Sequence, residues 1–396
     1  MSGKTHRGPW TWDTTKAINR IPMHPAVPVP AAPSPSTPAR PALVRGEANF
    51  IPGENPGAIE GFARRVLLQD ARDWPLLKLN LWITAVLIPF AIYLFTPGGF
   101  RWWLAPPYLV IVFLVFVDRY ILMLHNISHR PLFKARFRWL NNWIVWVLGP
   151  LMGESPETYA AHHIGMHHTE GNLEADLSTT MHYQRDNVLH FAHYYLRFVT
   201  VGVFELSAYF AKRKRFQRLR RMLAGELSFY LLAALLGTFV SWQATLVVLV
   251  IPFVTVRFLM MCGNWGQHAF VDAASPENSY RNSITCINTR YNRRAFNDGY
   301  HIGHHLRAAM HWTEMPVEFQ KNVDKYAAER AIVFEGIDFF QVWGMLMLRQ
   351  HRRLAGRLVS LDGVERSVEE KIAFLRERLR PVERGAPVAV GAVAAA

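Results

Sequence analysis

The sequence predicts an all-α integral membrane protein, with about four transmembrane helices and a cytoplasmic helical cap that holds a histidine-rich dimetal site. Three observations carry this prediction. Four apolar runs, near 76–96, 106–124, 226–242 and 244–262, approach the roughly 20 helical residues that cross a hydrocarbon core. They stay apolar on all faces for longer than soluble buried helices usually do. Basic residues crowd one set of connections: Lys212, Arg213, Lys214, Arg215, Arg218, Arg220 and Arg221 precede the third run, while the linkers 96–106 and 237–243 hold a single Arg101. This bias puts the N-terminus, the C-terminus and the long connections on the cytoplasmic side. Last, nine of the 17 histidines fall in four clusters: His125 and His129; His163, His167 and His168; His268; and His301, His304 and His305.

Taken in order, residues 1–60 of the 396 are rich in Pro, Ala, Ser and Gly, a composition that buries too little apolar surface to offset ordering entropy. A disordered cytoplasmic tail is expected there, with His24 outside the clusters. A membrane domain follows over 61–380, its helical pattern beginning near Gly57. The first run carries Lys78 at its edge, and the second runs through Asp118 and Arg119 into His125. The cap comprises 125–225 and 263–380. Within it, Arg138–Gly153 is Trp-rich but too short to span, which predicts an interfacial or re-entrant helix. Val188–Phe210 is aromatic and carries His190, His193 and Arg197; a membrane-surface helix is favoured over a fifth span that nothing balances. Arg257 interrupts the fourth run, and 381–396 is expected to be a second disordered tail.

The net charge of +14 is placed where anionic headgroups explain it better than a nucleic-acid groove, so no nucleic-acid partner is expected. Cys262 and Cys286 suggest neither a disulfide frame nor a redox pair.

Histidine is the commonest neutral metal ligand, and a helical spacing of three or four residues aims two imidazoles at a common point. Eight or nine imidazoles exceed what one zinc takes, so two metals fit better. The all-nitrogen set suits iron, though imidazole also accepts zinc, copper or nickel. In HHIGMHH, His162 competes with His163, but only His163 stands four residues before His167. Glu170 and Glu174 read as a solvated acidic loop, and Asp176 is a candidate to orient a histidine of this cluster. His182, His190, His193, His311 and His351 lie outside the spacings and are not expected to be ligands.

The boxes H-x3-H, H-x3-HH and H-x2-HH, in this order and separated by paired apolar spans, resemble those of the membrane-bound fatty acid desaturase superfamily over about residues 70–320. The resemblance implies that His125, His129, His163, His167, His168, His301, His304 and His305 ligate two iron ions. Asn264 and His268, in NWGQH, stand like the Asn-x-x-x-His of acyl-CoA desaturases, implying a ninth ligand and a water-bridging asparagine. NDGYHIGHH is similar to the third box of lipid-active desaturases, so Asn297, Asp298 and Tyr300 are candidates to orient the histidines; Asn297 equally fits a helix-capping turn. Asp118 is a further candidate, or a salt-bridge partner of Arg119 or another base.

The implied activity is O2-dependent desaturation of a fatty acyl chain carried on a lipid, coenzyme A or acyl carrier protein. The substrate-binding residues are not legible. Neither a haem motif nor an iron–sulfur spacing is present, so electrons are expected from a separate carrier such as ferredoxin or cytochrome b5. Hydroxylases, ketolases and other oxygenases acting on lipids, carotenoids or alkanes share the boxes. A membrane metal transporter or sensor is disfavoured because the spans lack midplane ligands.

Overall fold

The computed structural model describes residues 42–383, and the tails expected over 1–41, His24 included, and over 384–396 lie outside the described residues. Among the described residues, four helices are long and apolar enough to cross a membrane: α1 (Ala71–Phe95), α2 (Trp102–His129), α6 (Phe216–Phe239) and α7 (Trp242–Gln267). Between them lie α3 (140–151), α4 (158–170) and α5 (Val188–Lys212), and after them the short α8 (His301–Leu306), α9 (Phe339–Met347), α10 (His351–Ala355) and α11 (Val368–Arg378).

Local chemistry explains the boundaries. Asp70 opens α1 by accepting the backbone N–H of Arg72 at 2.9 Å, and Pro75 sits in the first turn of its α-helical part, Trp74–Phe95, where its missing N–H is not needed. Ser241 opens α7 by accepting from the Ala244 N–H at 3.2 Å. The third span begins at Phe216, not near 226, because Arg218, Arg220 and Arg221 are good helix formers and carry the helix beyond its apolar part. This extension brings Glu226 inside the helix, where it pairs with Arg257 of α7 at 3.0 Å.

The rings of Trp102 and Trp242 meet at 6.0 Å, so the α1–α2 and α6–α7 turns share one end of the bundle. The histidine-bearing ends of α2 and α7 are at the other. α5 falls outside the four spans; its Phe191, Tyr194, Leu206 and Phe210 are buried, whereas Leu189, Leu196 and Phe204 are exposed.

Two features depart from expectation. Residues 42–50, assigned to a disordered tail, form an extended strap held by polar contacts. Gln320 accepts from the Leu43 N–H at 2.8 Å, Asn297 from the Ala48 N–H at 3.0 Å, and Glu47 accepts from the Asn288 N–H, the Asn292 amide and the Tyr300 hydroxyl at 2.6, 3.0 and 2.9 Å. The order comes from hydrogen bonds to distant residues, which composition does not register. The cap also contains a parallel strand pair, β1 (Ile284–Ile287) and β2 (Ile332–Glu335), in the register Ile284 to Ile332. β1 is buried throughout and β2 at its first three residues, and a largely apolar run of four has no period to distinguish strand from helix.

Candidate metal centre

Four segments converge on one site. α2 presents His125 and His129 in its last turns. In α4 the stretch His163–His167 is wound as a π turn, a form that recurs at functional positions. His268 follows the last residue of α7, and α8 carries His301, His304 and His305 within six residues.

The imidazoles form two groups. His125, His129, His163 and His304 make one and His167, His268, His301 and His305 the other, with one nitrogen of each ring within 4.8 Å of all the others in its group. His168 stands beside the first, its Nε2 3.1 Å from His163 Nε2 and 2.8 Å from His304 Nε2, while its ring stacks on His305 at 4.9 Å. His163 and His167 share a helix face, yet their rings lie 5.8 Å apart and nearly parallel, so each addresses a different group. The expectation that a four-residue spacing aims both rings at one point holds for His125 with His129 and for His301 with His305, but not here.

The donor set fits metal ions. A neutral imidazole offers at Nε2 one lone pair or one proton. Yet His304 Nε2 faces both His125 at 2.9 Å and His168, and His301 Nε2 faces both His268 at 3.1 Å and His305 at 3.0 Å. Hydrogen bonding cannot satisfy every member of such a ring, whereas a central cation can. Neighbouring nitrogens on an octahedron with bonds of about 2.1 Å stand roughly 3.0 Å apart, matching these contacts. His167 Nε2 is buried with no hydrogen-bond partner among the described residues. Burial, reinforced by the neighbouring imidazoles, pushes His163, His168, His301, His304 and His305 well below the usual imidazole range, leaving them neutral.

The outer nitrogens of His167, His268 and His125 face oxygens. His167 Nδ1 donates to Asp176 Oδ2 at 2.7 Å, which leaves the Nε2 lone pair facing the second group. Gly171, at φ +62, ends α4 and turns the chain so that Asp176 can return to it. Asp176 also accepts the Asn172 N–H, the Ser178 N–H and the Ser178 hydroxyl at 2.9, 2.8 and 2.7 Å. Burial alone would raise its pKa; His167 and the Ser178 hydroxyl more than offset that and hold it at about 2. His268 Nδ1 donates to the Asn282 carbonyl at 2.9 Å, and His125 Nδ1 lies 3.4 Å from Asp298 Oδ1.

Other candidates are placed elsewhere. Asp118 pairs with Arg294, not with a histidine, because two helical turns separate it from His125 along α2. Asn297 donates its amide to the Ala48 and Trp312 carbonyls, both at 2.8 Å, so it ties the strap to the cap. The Tyr300 hydroxyl goes to Glu47 in the same strap. The Asn264 amide donates to the Ser178 carbonyl at 3.1 Å and the Tyr194 hydroxyl at 2.7 Å, one link from Asp176. His162 packs its ring on Phe198 at 5.9 Å, outside both groups, and His182, His190, His193, His311 and His351 are outside them too. Glu170 is not solvated: it pairs with Arg213 at 2.8 Å and accepts from the Tyr209 hydroxyl, since α5 folds back over α4. Sequence reasoning missed the Asn282 carbonyl, which leaves no residue-type signal, and Tyr159, whose ring stacks on His163 at 5.3 Å.

Four apolar helices beneath a cap with two convergent imidazole groups define a helical membrane protein with a candidate dimetal centre. The family model for fatty acid desaturase matches residues 100–335, a stretch that contains all nine clustered histidines, and the chain belongs to that family. The family points to an oxidoreductase of the fatty acid desaturase type. Comparison with curated proteins and with solved structures yields no match.

Proposed function

We propose that the protein is an O2-dependent desaturase that introduces a double bond into a fatty acyl chain, using two iron ions held by His125, His129, His163, His167, His168, His268, His301, His304 and His305. The observation that carries this reading is the pair of imidazole groups closed on Nε2 contacts that hydrogen bonding cannot satisfy, in a chain of the desaturase family. Iron in these groups supplies the oxygen-dependent redox chemistry needed to break an unactivated C–H bond. The protein's part is preparation. Asp176 and the Asn282 carbonyl keep protons on the outer nitrogens of His167 and His268, so their inner lone pairs stay free, and Asp298 faces the outer nitrogen of His125 at 3.4 Å. Asn264, linked through Ser178 to Asp176, is assigned the water-holding role beside the centre. Burial of His167, His268, His301 and His304 limits the access of bulk water, with His129, His168 and His305 partly exposed. In this reading a separate one-electron carrier reduces the centre, and the bias of basic residues toward one set of connections supports a cytoplasmic cap and termini.

Expression in a host lacking its own desaturases, with lipid mass spectrometry against a His304→Ala control, tests the reading. Acyl chains lighter by two hydrogens, only with wild type and only with O2, are expected. Added oxygen instead would transfer the protein to the hydroxylase reaction.

A further inference from the structure

Between α4, α5 and α7 the structure encloses a cavity of about 30 Å3, enough for roughly two waters. Phe198, Leu206 and Met260 form its apolar wall, and Glu154, Thr158 and Arg257 its polar one. Three buried polar atoms of the lining residues, Glu154 Oε1, Thr158 Oγ1 and Arg257 Nε, have no hydrogen-bond partner among the described residues, nor has Glu226 Oε2 behind Arg257. Glu226 is joined to the wall through Arg257 and through Ser155, whose hydroxyl donates to Glu226 Oε1 at 2.5 Å. The three lining atoms include donors and acceptors, so neither a cation nor an anion satisfies them all. Water does, and an unpaired buried polar group otherwise costs as much as a lost hydrogen bond.

The cavity has two ends. Tyr159 lines the inner one and stacks on His163. Glu205 lines the outer one, where it pairs with Arg197 at 2.9 Å and is partly exposed. We propose that this cavity is a water-filled proton relay serving the histidine centre, with Glu154 as its buried proton carrier.

The inference rests on the desaturase reading. Converting one –CH2–CH2– unit to –CH=CH– consumes one O2, two electrons from the one-electron carrier and two protons, and releases two waters. Those protons must reach a centre in which His125, His163, His167, His268, His301 and His304 are buried and His129, His168 and His305 are only partly exposed. Arg257 and Met260 on α7, Glu226 on α6, Tyr120 on α2, Tyr159 and His162 on α4 and Glu205 on α5 surround the carboxyl and its cavity. Burial pushes the Glu154 carboxyl up to about 8, against Arg257 and with Glu226, so it carries a proton at neutral pH. It passes that proton to a cavity water toward Tyr159 and regains one from the Glu205 side. Glu154 acts through the waters and touches no reacting atom.

The Glu154→Gln variant keeps the shape and removes the acid. Purified with its metal, it is expected to hold wild-type iron, to turn over roughly tenfold more slowly, to lose the alkaline fall in rate near pH 8, and to release more peroxide per electron pair. In the infrared, the wild type should show the carbonyl band of a buried carboxylic acid that shifts promptly in D2O and disappears in Glu154→Gln. Glu154→Asp should restore part of the rate and the pH dependence. Wild-type turnover and pH profile in Glu154→Gln would overturn the relay, as would an infrared band that is missing or does not exchange. If Glu154→Gln loses its iron, Thr158→Val replaces it, and an unchanged rate there counts equally against the relay. A wild type that forms no double bond speaks against the desaturase reading alone, because the infrared band reports on Glu154 without turnover.

Discussion

Asp176 shows how much one residue fixes at this centre. Its carboxylate takes four donors, one of them His167 Nδ1 at 2.7 Å, and so sets both the ring's tautomer and its direction. An asparagine of the same shape would turn an N–H2 group toward other donors. Asp176→Asn is therefore expected to lower metal affinity about 10- to 100-fold, measured as iron retained against a competing chelator. Asp118→Asn, equally acidic at the start but paired with Arg294 away from the histidines, should leave iron content unchanged. The contrast separates the two aspartates that sequence alone treated as similar candidates.

Among the elements, the strap and the packing of α6 matter most for the site. Glu47 gathers three donors in the cap, including the Tyr300 hydroxyl next to His301. Glu47→Ala strands all three and should cost about 1–3 kcal/mol, seen as a lower unfolding temperature in detergent. α6 approaches the segment entering α4 so closely that a Cβ on Gly225 would lie 1.7 Å from the Pro156 carbonyl oxygen. Gly225→Ala must push the two apart, and overpacking of this kind costs about 1–3 kcal/mol or more. Because that segment leads into His163, the variant should lose iron as well as stability; a variant with both intact would show that the contact relaxes freely.

For the molecule as a whole, the centre joins segments that lie far apart in the chain, from residue 125 to residue 305. Metal binding should accordingly stabilise the entire fold. Stripping the metal with a chelator is expected to lower the unfolding temperature, and restoring ferrous iron at about 100 times its dissociation constant to return about 2.7 kcal/mol per site. Identical unfolding with and without metal would argue that the imidazole groups are rigid without a cation.

The four spans and the nine clustered histidines could be read from the chain, because apolar length and ligand spacing are properties of consecutive residues. Asp176 and Asp298 were within reach for the same reason, lying close in sequence to the boxes. Partners supplied from afar were not. The strap over the cap, the Asn282 carbonyl behind His268 and the Glu226–Arg257 pair each depend on residues brought together by folding. The division of His163 and His167 between two groups is of this kind as well. Spacing along a helix determines which side chains share a face. Only the tertiary structure decides what stands opposite that face, because the depth and tilt of each helix are set by packing against the others.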